Sequence, residues 1–539
     1  MNKFLKKNKL LKLSVLSGLL LACAWPTYGF APLIFVAFIP LLSVEKSLSS
    51  SCRKGSWQLF GYAFLTFLMF NVITTWWISN SALIAGVLAC LLNSFLMAIT
   101  FQLYHIVRMK AMPDNVNGNL ALIPFWIGFE KLHYTWEINW PWLNLGNVFA
   151  SNPALIQWYS ITGVLGGTFW ILLVNILLFN VIDAYALNKD RKLICRKLLL
   201  PLLIVVLPIV CSVITYFKYE EVEDPVEVVV YQPNSDPYTV QFNLTDSQIV
   251  DRFEENVKPL VDENTDFIIC PESMMQNSCF ESRLDNMMYV KRFRQFLKDN
   301  APNAAIIVGA STLKLYEKGE DYPFSARQYA DGARYDAFNT SVFIDTTETL
   351  QLHHKSKLTP GVEIMPYIRY MPFIEELALD LGGTSGTLGI DKEMMPFWSM
   401  NSHAVPASVI CYESVFAEHV TEFIRNYANV IFISTNDGWW NETQGHKQHC
   451  EYASILAIET RRSIARSANT GISCVVNQRG DIMHRTKYWE QDAFKCSINM
   501  NSELTFYAKN GDWIADIATV LVILLIAIAI TNLFVRKRY

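Results

Sequence analysis

Long apolar stretches crowd both ends of this chain and are missing from its middle, which constrains the fold more than any other feature. A helix that crosses a bilayer needs roughly 20 mostly apolar residues. Stretches that meet or approach this begin near residues 10, 30, 57, 82, 118, 160 and 197, and a last one begins near 514. The clearest, 199–217 and 514–535, carry almost no charge, whereas Glu130 and Lys131 cut the fifth one short. Only 17% of the residues are charged, against roughly 25% in globular chains, and the deficit lies in these flanks. The pattern predicts an α-helical polytopic membrane domain over 1–218 with about seven spans, a soluble domain over 225–505, and a closing transmembrane helix over 513–535. A net charge of −4 points to no nucleic-acid partner.

Lys and Arg concentrate in short cytoplasmic loops, so charge placement tests that count independently. Lys3, Lys6, Lys7, Lys9 and Lys12 open the chain, and Lys46, Arg53 and Lys54 fall in the second connection. Arg108 and Lys110 lie in the fourth, and Lys189, Arg191, Lys192, Arg196 and Lys197 in the sixth. Arg536, Lys537 and Arg538 close the chain, while the odd-numbered connections around 26–30, 79–81 and 133–159 hold no Lys or Arg. This alternation places both termini in the cytoplasm and the soluble domain on the outer side. Leu20-Leu21-Ala22-Cys23 imitates a lipoprotein signal, but further spans follow at once and mark it as the first helix. Ahead of the sixth span stand Trp136, Trp140, Pro141 and Trp142, with Gly146 after them. That cluster suits an interfacial belt or the lining of a lipid-entry groove.

From about 226 to 498 the pattern changes to short β-branched runs between amphipathic stretches. The runs 226–231, 267–270, 305–308, 341–344, 407–411, 430–434 and 471–476 are of a length that suits buried strands. Helices are expected over 247–262, 414–426 and 448–467. Together these predict an α/β domain, layered as an α-β-β-α sandwich.

Three of these strands lead into residues that carry chemistry. Phe267-Ile-Ile-Cys-Pro-Glu272 delivers a carboxylate just past a strand, and 407–411 delivers the Cys411 thiol. A cysteine between a strand and a helix start sits where aligned N–H groups favour a thiolate and also serve an oxyanion. The segment from His353 to Glu363 adds Lys355, Lys357 and Glu363 in a polar loop. Singly, each has an ordinary structural explanation. Together they form a nucleophile with a base and a cation.

Cys270-Pro-Glu-Ser273, Lys355 to Glu363, and Ile410-Cys-Tyr-Glu413 resemble the Glu-Lys-Cys signature of the nitrilase superfamily. With the multispan framing they resemble its membrane branch, the apolipoprotein N-acyltransferases. Gly29-Phe-Ala-Pro32, Trp140-Pro-Trp142 and Gly163 to Gly167 resemble that branch's membrane region. Gln232-Pro-Asn234, Phe338-Asn-Thr340, Asn436-Asp-Gly-Trp439 and Glu459-Thr-Arg-Arg462 resemble its soluble domain. The resemblance implies a Cys411 nucleophile, a Glu272 general base, and Lys355 as oxyanion stabiliser, with Lys357 a second candidate. It assigns supporting or substrate-binding places to Glu363, Asn339, Tyr412, Glu413, Trp439 and Trp142. The sequence departs from the family in its lysine loop, where Thr359-Pro-Gly-Val-Glu363 replaces the usual Val-Pro-Phe-Gly-Glu, and at Cys270, where Trp is common.

The implied reaction moves an acyl chain from a phospholipid to Cys411 as a thioester, then to the α-amino group of a diacylglyceryl-cysteine lipoprotein. Expected partners are the phospholipid donor, the lipoprotein acceptor and membrane lipids, for a monomer in the bacterial inner membrane with its catalytic domain in the periplasm. No cofactor is required. His446, His449 and Cys450 invite a zinc reading, but no second ligand set accompanies them. Rival readings are a membrane-tethered amidase acting on a small amide, and a domain that binds without catalysis.

Overall fold

The computed structural model describes residues 2–49, 55–112, 117–188, 191–370 and 387–536. Arg53, Lys54, Lys189, Lys537 and Arg538 of the charge count lie outside them. The chain divides into two compact units, one comprising Met1–Trp136, Trp140–Lys218 and Asn510–Tyr539, the other Glu137–Asn139 and Tyr219–Lys509.

The first unit is helical: α1 (Asn2–Ala24), α2 (Ile39–Ser49), α3 (Gly55–Thr75), α4 (Leu83–Ala111), α5 (Leu122–Thr135), α6 (Tyr159–Asn188), α7 (Arg191–Lys218) and a last helix, Trp513–Arg536. Among the described residues, six helical stretches are long and apolar enough to cross a membrane: Ala31–Ser49, Trp57–Asn80, Leu83–Ala111, Tyr159–Ala186, Ile194–Lys218 and Trp513–Val535. The other two of the eight expected from sequence are α1, with its lysines at the start, and α5, only 14 residues long. Glu130 in α5 is 1% exposed. Its carboxylate accepts hydrogen bonds from Trp126 Nε1 (3.1 Å), the Leu145 amide (2.8 Å) and Thr168 Oγ1 (2.6 Å). A buried carboxylate costs several kcal/mol unless satisfied in this way. Where α1 meets α3, Gly18 has no room for a side chain, because a Cβ would stand 2.5 Å from the Thr66 carbonyl oxygen. Small residues let apolar helices approach like this.

The second unit holds two sheets: β1 (Pro225–Gln232), β2 (Phe267–Ile269), β3 (Met275–Phe280), β4 (Ala305–Leu315), β5 (Arg327–Gln328), β6 (Arg334–Ile344), β7 (Gln351–His354), β8 (Pro406–Ile410), β9 (Val430–Thr435), β10 (Ile464–Ala468), β11 (Cys474–Val476), β12 (Ile482–Arg485) and β13 (Asp492–Asn499). One sheet runs β13-β1-β2-β4-β6-β5, with β3 on β4 and β7 on β6; the other runs β12-β11-β10-β9-β8. Strand alternation explains the layering. Val228, Val230, Phe267, Ile269 and Ile307 pack with Phe432, Ala465 and Val475 between the sheets. Their neighbours Val229, Tyr231, Ile268 and Ile306 pack instead under Val250, Phe253 and Phe293, from helices α8 (Asp246–Val257) and α9 (Met288–Asn300). Ile431 and Ile433 face Val420, Phe423 and Leu456, from α10 (Ala417–Arg425) and α11 (Gln444–Thr460). The unit is therefore the α-β-β-α sandwich that the strand pattern predicts.

Three expected helices end elsewhere. The one predicted over 247–262 stops at Val257, two residues before Pro259, whose ring disfavours helix in the residue ahead of it. The one predicted over 448–467 ends at Thr460; Arg461 turns left-handed at φ 51, and Ile464–Ala468 becomes a strand parallel to β9. Pairing in the sheet centre overrides the helical local pattern there. The helix expected over 414–426 begins only at Ala417, because Cys411–Val415 forms a tight 3₁₀ turn first.

Candidate active site

Glu272 stands where β2 runs out into Cys270-Pro271. The Cys270 amide still bonds the Ile307 carbonyl (2.8 Å), and the Gly309 amide donates to the Pro271 carbonyl (3.2 Å). Gly309 is required by this close approach: a Cβ on it would lie 2.5 Å from the Ser273 nitrogen and 2.7 Å from Glu272 Cα. Asn339 comes from β6 and accepts the Lys355 amide on its carbonyl (2.8 Å), so β7 hands the lysine to the same place. Glu363 reaches back from the loop, its Oε2 accepting the Thr359 amide (2.9 Å).

These four side chains form one buried cluster. Lys355 Nζ donates to Glu272 Oε1 and to Glu363 Oε1, both at 2.9 Å. Asn339 Nδ2 donates to the same two oxygens at 2.8 and 3.0 Å. Burial opposes the lysine's charge, but Glu272 and Glu363 outweigh it and hold its pKa well above the ordinary value. Glu363 is likewise held low, because Lys355 overcomes the cost of its burial. Lys357 points elsewhere, its Nζ 5.4 Å from the Phe416 ring centre.

Cys411 follows β8 with φ 50, a left-handed conformation that costs a non-glycine residue roughly 1–2 kcal/mol and that marks functional elbows. Burial pushes the thiol far up, the Glu272 and Asp437 charges add to this, and Lys355 and a hydrogen bond with Thr435 act the other way. Together these influences favour the neutral thiol over the thiolate.

Glu413 braces the elbow against the lysine loop. It is fully buried. Oε2 accepts the Ile410 amide (2.8 Å) and faces His353 Nε2 (3.2 Å); Oε1 accepts the Ser356 amide (2.7 Å) and faces His419 Nε2 (3.2 Å). Burial opposes its charge, yet His353 and His419 hold its pKa well below the carboxylate range. Burial lowers the His353 pKa, but Glu413 and Asp391 raise it to about 9 overall. His354 is raised too, by Asp391 and Glu281 against its burial.

The structure sorts the remaining sequence candidates. Tyr412 is buried, and its hydroxyl donates to the Asn139 carbonyl (3.1 Å). Trp439 is partly exposed and packs on Tyr238 and Phe242, with ring centres 5.3 and 6.2 Å away. Glu413 offers no surface to a substrate. Trp142 belongs to the helical unit, where it is 1% exposed and packs on Trp77 and Trp140 at 5.2 and 5.8 Å. The suggested zinc trio separates: His446 stacks on Tyr488 at 3.9 Å, Cys450 touches Cys474 at 3.6 Å, and His449 pairs with Asp437 at 2.9 Å. Cys411, Asp437 and His449 do offer ligand atoms within 4.8 Å of one another. Asp437, however, already accepts from Arg466 (2.6 Å) and Thr435 (2.9 Å), and a guanidinium beside it disfavours a second cation.

Sequence reasoning missed Gly309, the His353–Asp391–Glu413 network, and the Asp437–His449–Arg466 array. All three depend on contacts between segments distant in sequence. The only local signal was an unusual density of His beside the two reactive segments.

Residues 228–502, which hold nearly all of both sheets and the Glu272, Lys355 and Cys411 segments, match the carbon-nitrogen hydrolase family, and residues 17–177 match the apolipoprotein N-acyltransferase N-terminal domain. The chain belongs to the carbon-nitrogen hydrolase family, in the branch joined to that N-terminal domain. It is 28% identical to an apolipoprotein N-acyltransferase of Chlorobaculum tepidum, over 94% of this chain and 93% of that one. It is 25% identical to one of Geobacter metallireducens, over 93% and 91%. A solved carbon-nitrogen hydrolase superfamily protein from Xanthomonas campestris covers 54% of this chain and 97% of its own, with a TM-score of 0.35 and 13% identity.

Proposed function

We propose that the protein N-acylates apolipoproteins, moving an acyl chain from a phospholipid through Cys411 to the α-amino group of an N-terminal diacylglyceryl-cysteine. The observation that carries this is the left-handed Cys411 elbow together with the buried Glu272–Lys355 pair whose charges act on its thiol, in a chain that matches apolipoprotein N-acyltransferases along nearly its full length.

Glu272 takes the thiol proton, which frees Cys411 to attack the ester carbonyl. Lys355 and the N–H of Tyr412 receive the tetrahedral oxyanion; one such donor is worth about 2.7–4 kcal/mol. The ester C–O bond breaks, Glu272 returns the proton to the departing lysophospholipid oxygen and is a carboxylate again, and a thioester remains on Cys411. The lipoprotein amine then attacks, Glu272 takes its proton, and the thiol is restored. A shared nucleophile makes the kinetics ping-pong. Asn339 and Glu363 hold Glu272 and Lys355 in register throughout, and Glu413 ties the lysine loop to the elbow.

The charge alternation supports an inner-membrane protein with eight spans, α1 and α5 included, both termini cytoplasmic and the catalytic unit periplasmic. Acyl chains on both substrates give the helices their purpose.

The test is purified protein in detergent with phospholipid and a diacylated lipopeptide. Mass spectrometry should find an acyl thioester on Cys411 and then N-acylated lipopeptide, and Cys411→Ala should abolish both. Hydrolysis of small amides without any acyl thioester would refute the proposal in favour of an amidase.

A further inference from the structure

His449 sits on α11, 1% exposed, and the reaction above gives it no role. Its Nε2 faces the Cys411 carbonyl oxygen at 3.3 Å and Ser414 Oγ at 3.0 Å. Ser414 spends its own proton on that same carbonyl (2.7 Å), so its oxygen is left to accept. The other ring nitrogen, Nδ1, lies 2.9 Å from Asp437 Oδ1. Asp437 is itself fully buried and anchored from its far side by Arg466 (2.6 Å). Burial opposes the Asp437 charge, but Arg466 and His449 hold its carboxyl below the usual range.

On the Nε2 side the ring's two partners, the Cys411 carbonyl and Ser414 Oγ, both accept, so Nε2 donates there. The donation that matters falls on the carbonyl of Cys411, the residue held left-handed at φ 50. An elbow carbonyl has left the strand and has no ladder partner in the second sheet, whose β8–β9 pairing ends at Ile410. Two side-chain donors, Ser414 and His449, converge on it instead.

We propose that His449 is a positioning residue: backed by Asp437 and Arg466, it grips the Cys411 carbonyl and holds the elbow so that the thiol and the following N–H meet the same substrate carbonyl. This rests on the thioester reading above. It also explains why a buried ion pair stands directly behind the nucleophile. The groups around the ring are Asp437 from the turn after β9, Arg466 from β10 with NH2 3.2 Å from Nδ1, Cys411 and Ser414 from the elbow, and the Trp440 ring at 5.8 Å.

The two amide replacements of histidine separate the grip from the pairing. In His449→Gln the amide nitrogen reaches the place of Nε2 and keeps the grip; in His449→Asn it reaches only the place of Nδ1. Full-length protein in detergent is mixed with phospholipid, and the rate of acyl-thioester formation is followed by quenched mass spectrometry. His449→Asn should lower the acylation rate constant about 30-fold or more with phospholipid KM unchanged, while His449→Gln stays within about threefold of wild type, since misplacement of a reacting group costs rate rather than affinity. A wild-type rate in His449→Asn, an equal fall in both variants, or a change confined to KM would overturn the proposal. Should either variant fail to fold, Ser414→Ala carries the test. It removes the companion donor, so a slower acylation at constant KM supports the grip and an unchanged rate overturns it. Wild-type protein that forms no thioester at all would instead defeat the acyltransferase reading, which keeps the two failures distinct.

Discussion

Replacing Glu413 with Gln tests the brace between the elbow and the lysine loop. The carboxylate accepts the Ile410 and Ser356 amides at 2.8 and 2.7 Å and faces His353 and His419 at 3.2 Å each. Gln keeps one acceptor oxygen, but its NH2 must face one amide and one histidine that are themselves donors. Breaking one side of a buried charge pair typically costs about 3–5 kcal/mol, and the lost amide bond lies within that figure. At roughly 2 °C per kcal/mol for a domain of this size, the Tm should fall by about 6–10 °C. The Ser356 amide adjoins Lys355, so thioester formation should also slow, by about tenfold or more. Thermal unfolding in detergent, followed by circular dichroism, measures the first effect, and quenched mass spectrometry the second. A Tm shift under about 2 °C, with acylation at the wild-type rate, would refute the reasoning, because Glu413 would then be dispensable to both segments.

Lys355→Met should cut thioester formation by about 10²–10³-fold through loss of an oxyanion donor, whereas Lys357→Met should leave it within about threefold. Equal losses would reopen the choice between the two lysines. Gly309→Ala forces a Cβ against the backbone of Ser273 and Glu272 at 2.5–2.7 Å, so it should displace Glu272 and lower acylation by about 10²-fold; a crystal structure with Glu272 unmoved would contradict this. The domain should lose stability at alkaline pH. The folded-state pKa of His353, about 9, exceeds its ordinary 6.5, so the contribution of its pairing is complete below about 6.5 and lost as pH rises through about 9. Glu413, held low, acts in the opposite direction, its contribution present above its ordinary value and lost as pH falls. Tm measured from pH 6 to 10 should therefore decline, and Glu413→Gln should flatten that decline; a flat wild-type profile would contradict it.

The sequence by itself determined the division into apolar flanks and a sheet-forming middle, because spans and strands announce themselves through local periodicity and length. It also determined the order of the reactive residues. Cys411 and Glu272 lie one and three residues past strands whose β-branched runs are unmistakable, and the eight-residue step from Lys355 to Glu363 is a local turn closed by the Thr359 amide. Tertiary structure alone decided what those residues touch. Lys357 matches Lys355 in chemical type and nearly so in position, yet Lys355 meets Glu272 and Glu363 while the Lys357 ammonium lies over the Phe416 ring. Arg461 to Ser467 reads as helix until β9 offers a parallel partner, and that pairing carries Arg466 to Asp437. Glu413 reads as a pocket residue until four donors from three segments converge on it. Trp142 reads as part of a belt or a groove, and the structure packs it on Trp77 and Trp140. In each case the deciding energy is burial of charge or of aromatic surface between segments far apart in the chain, which no local pattern encodes.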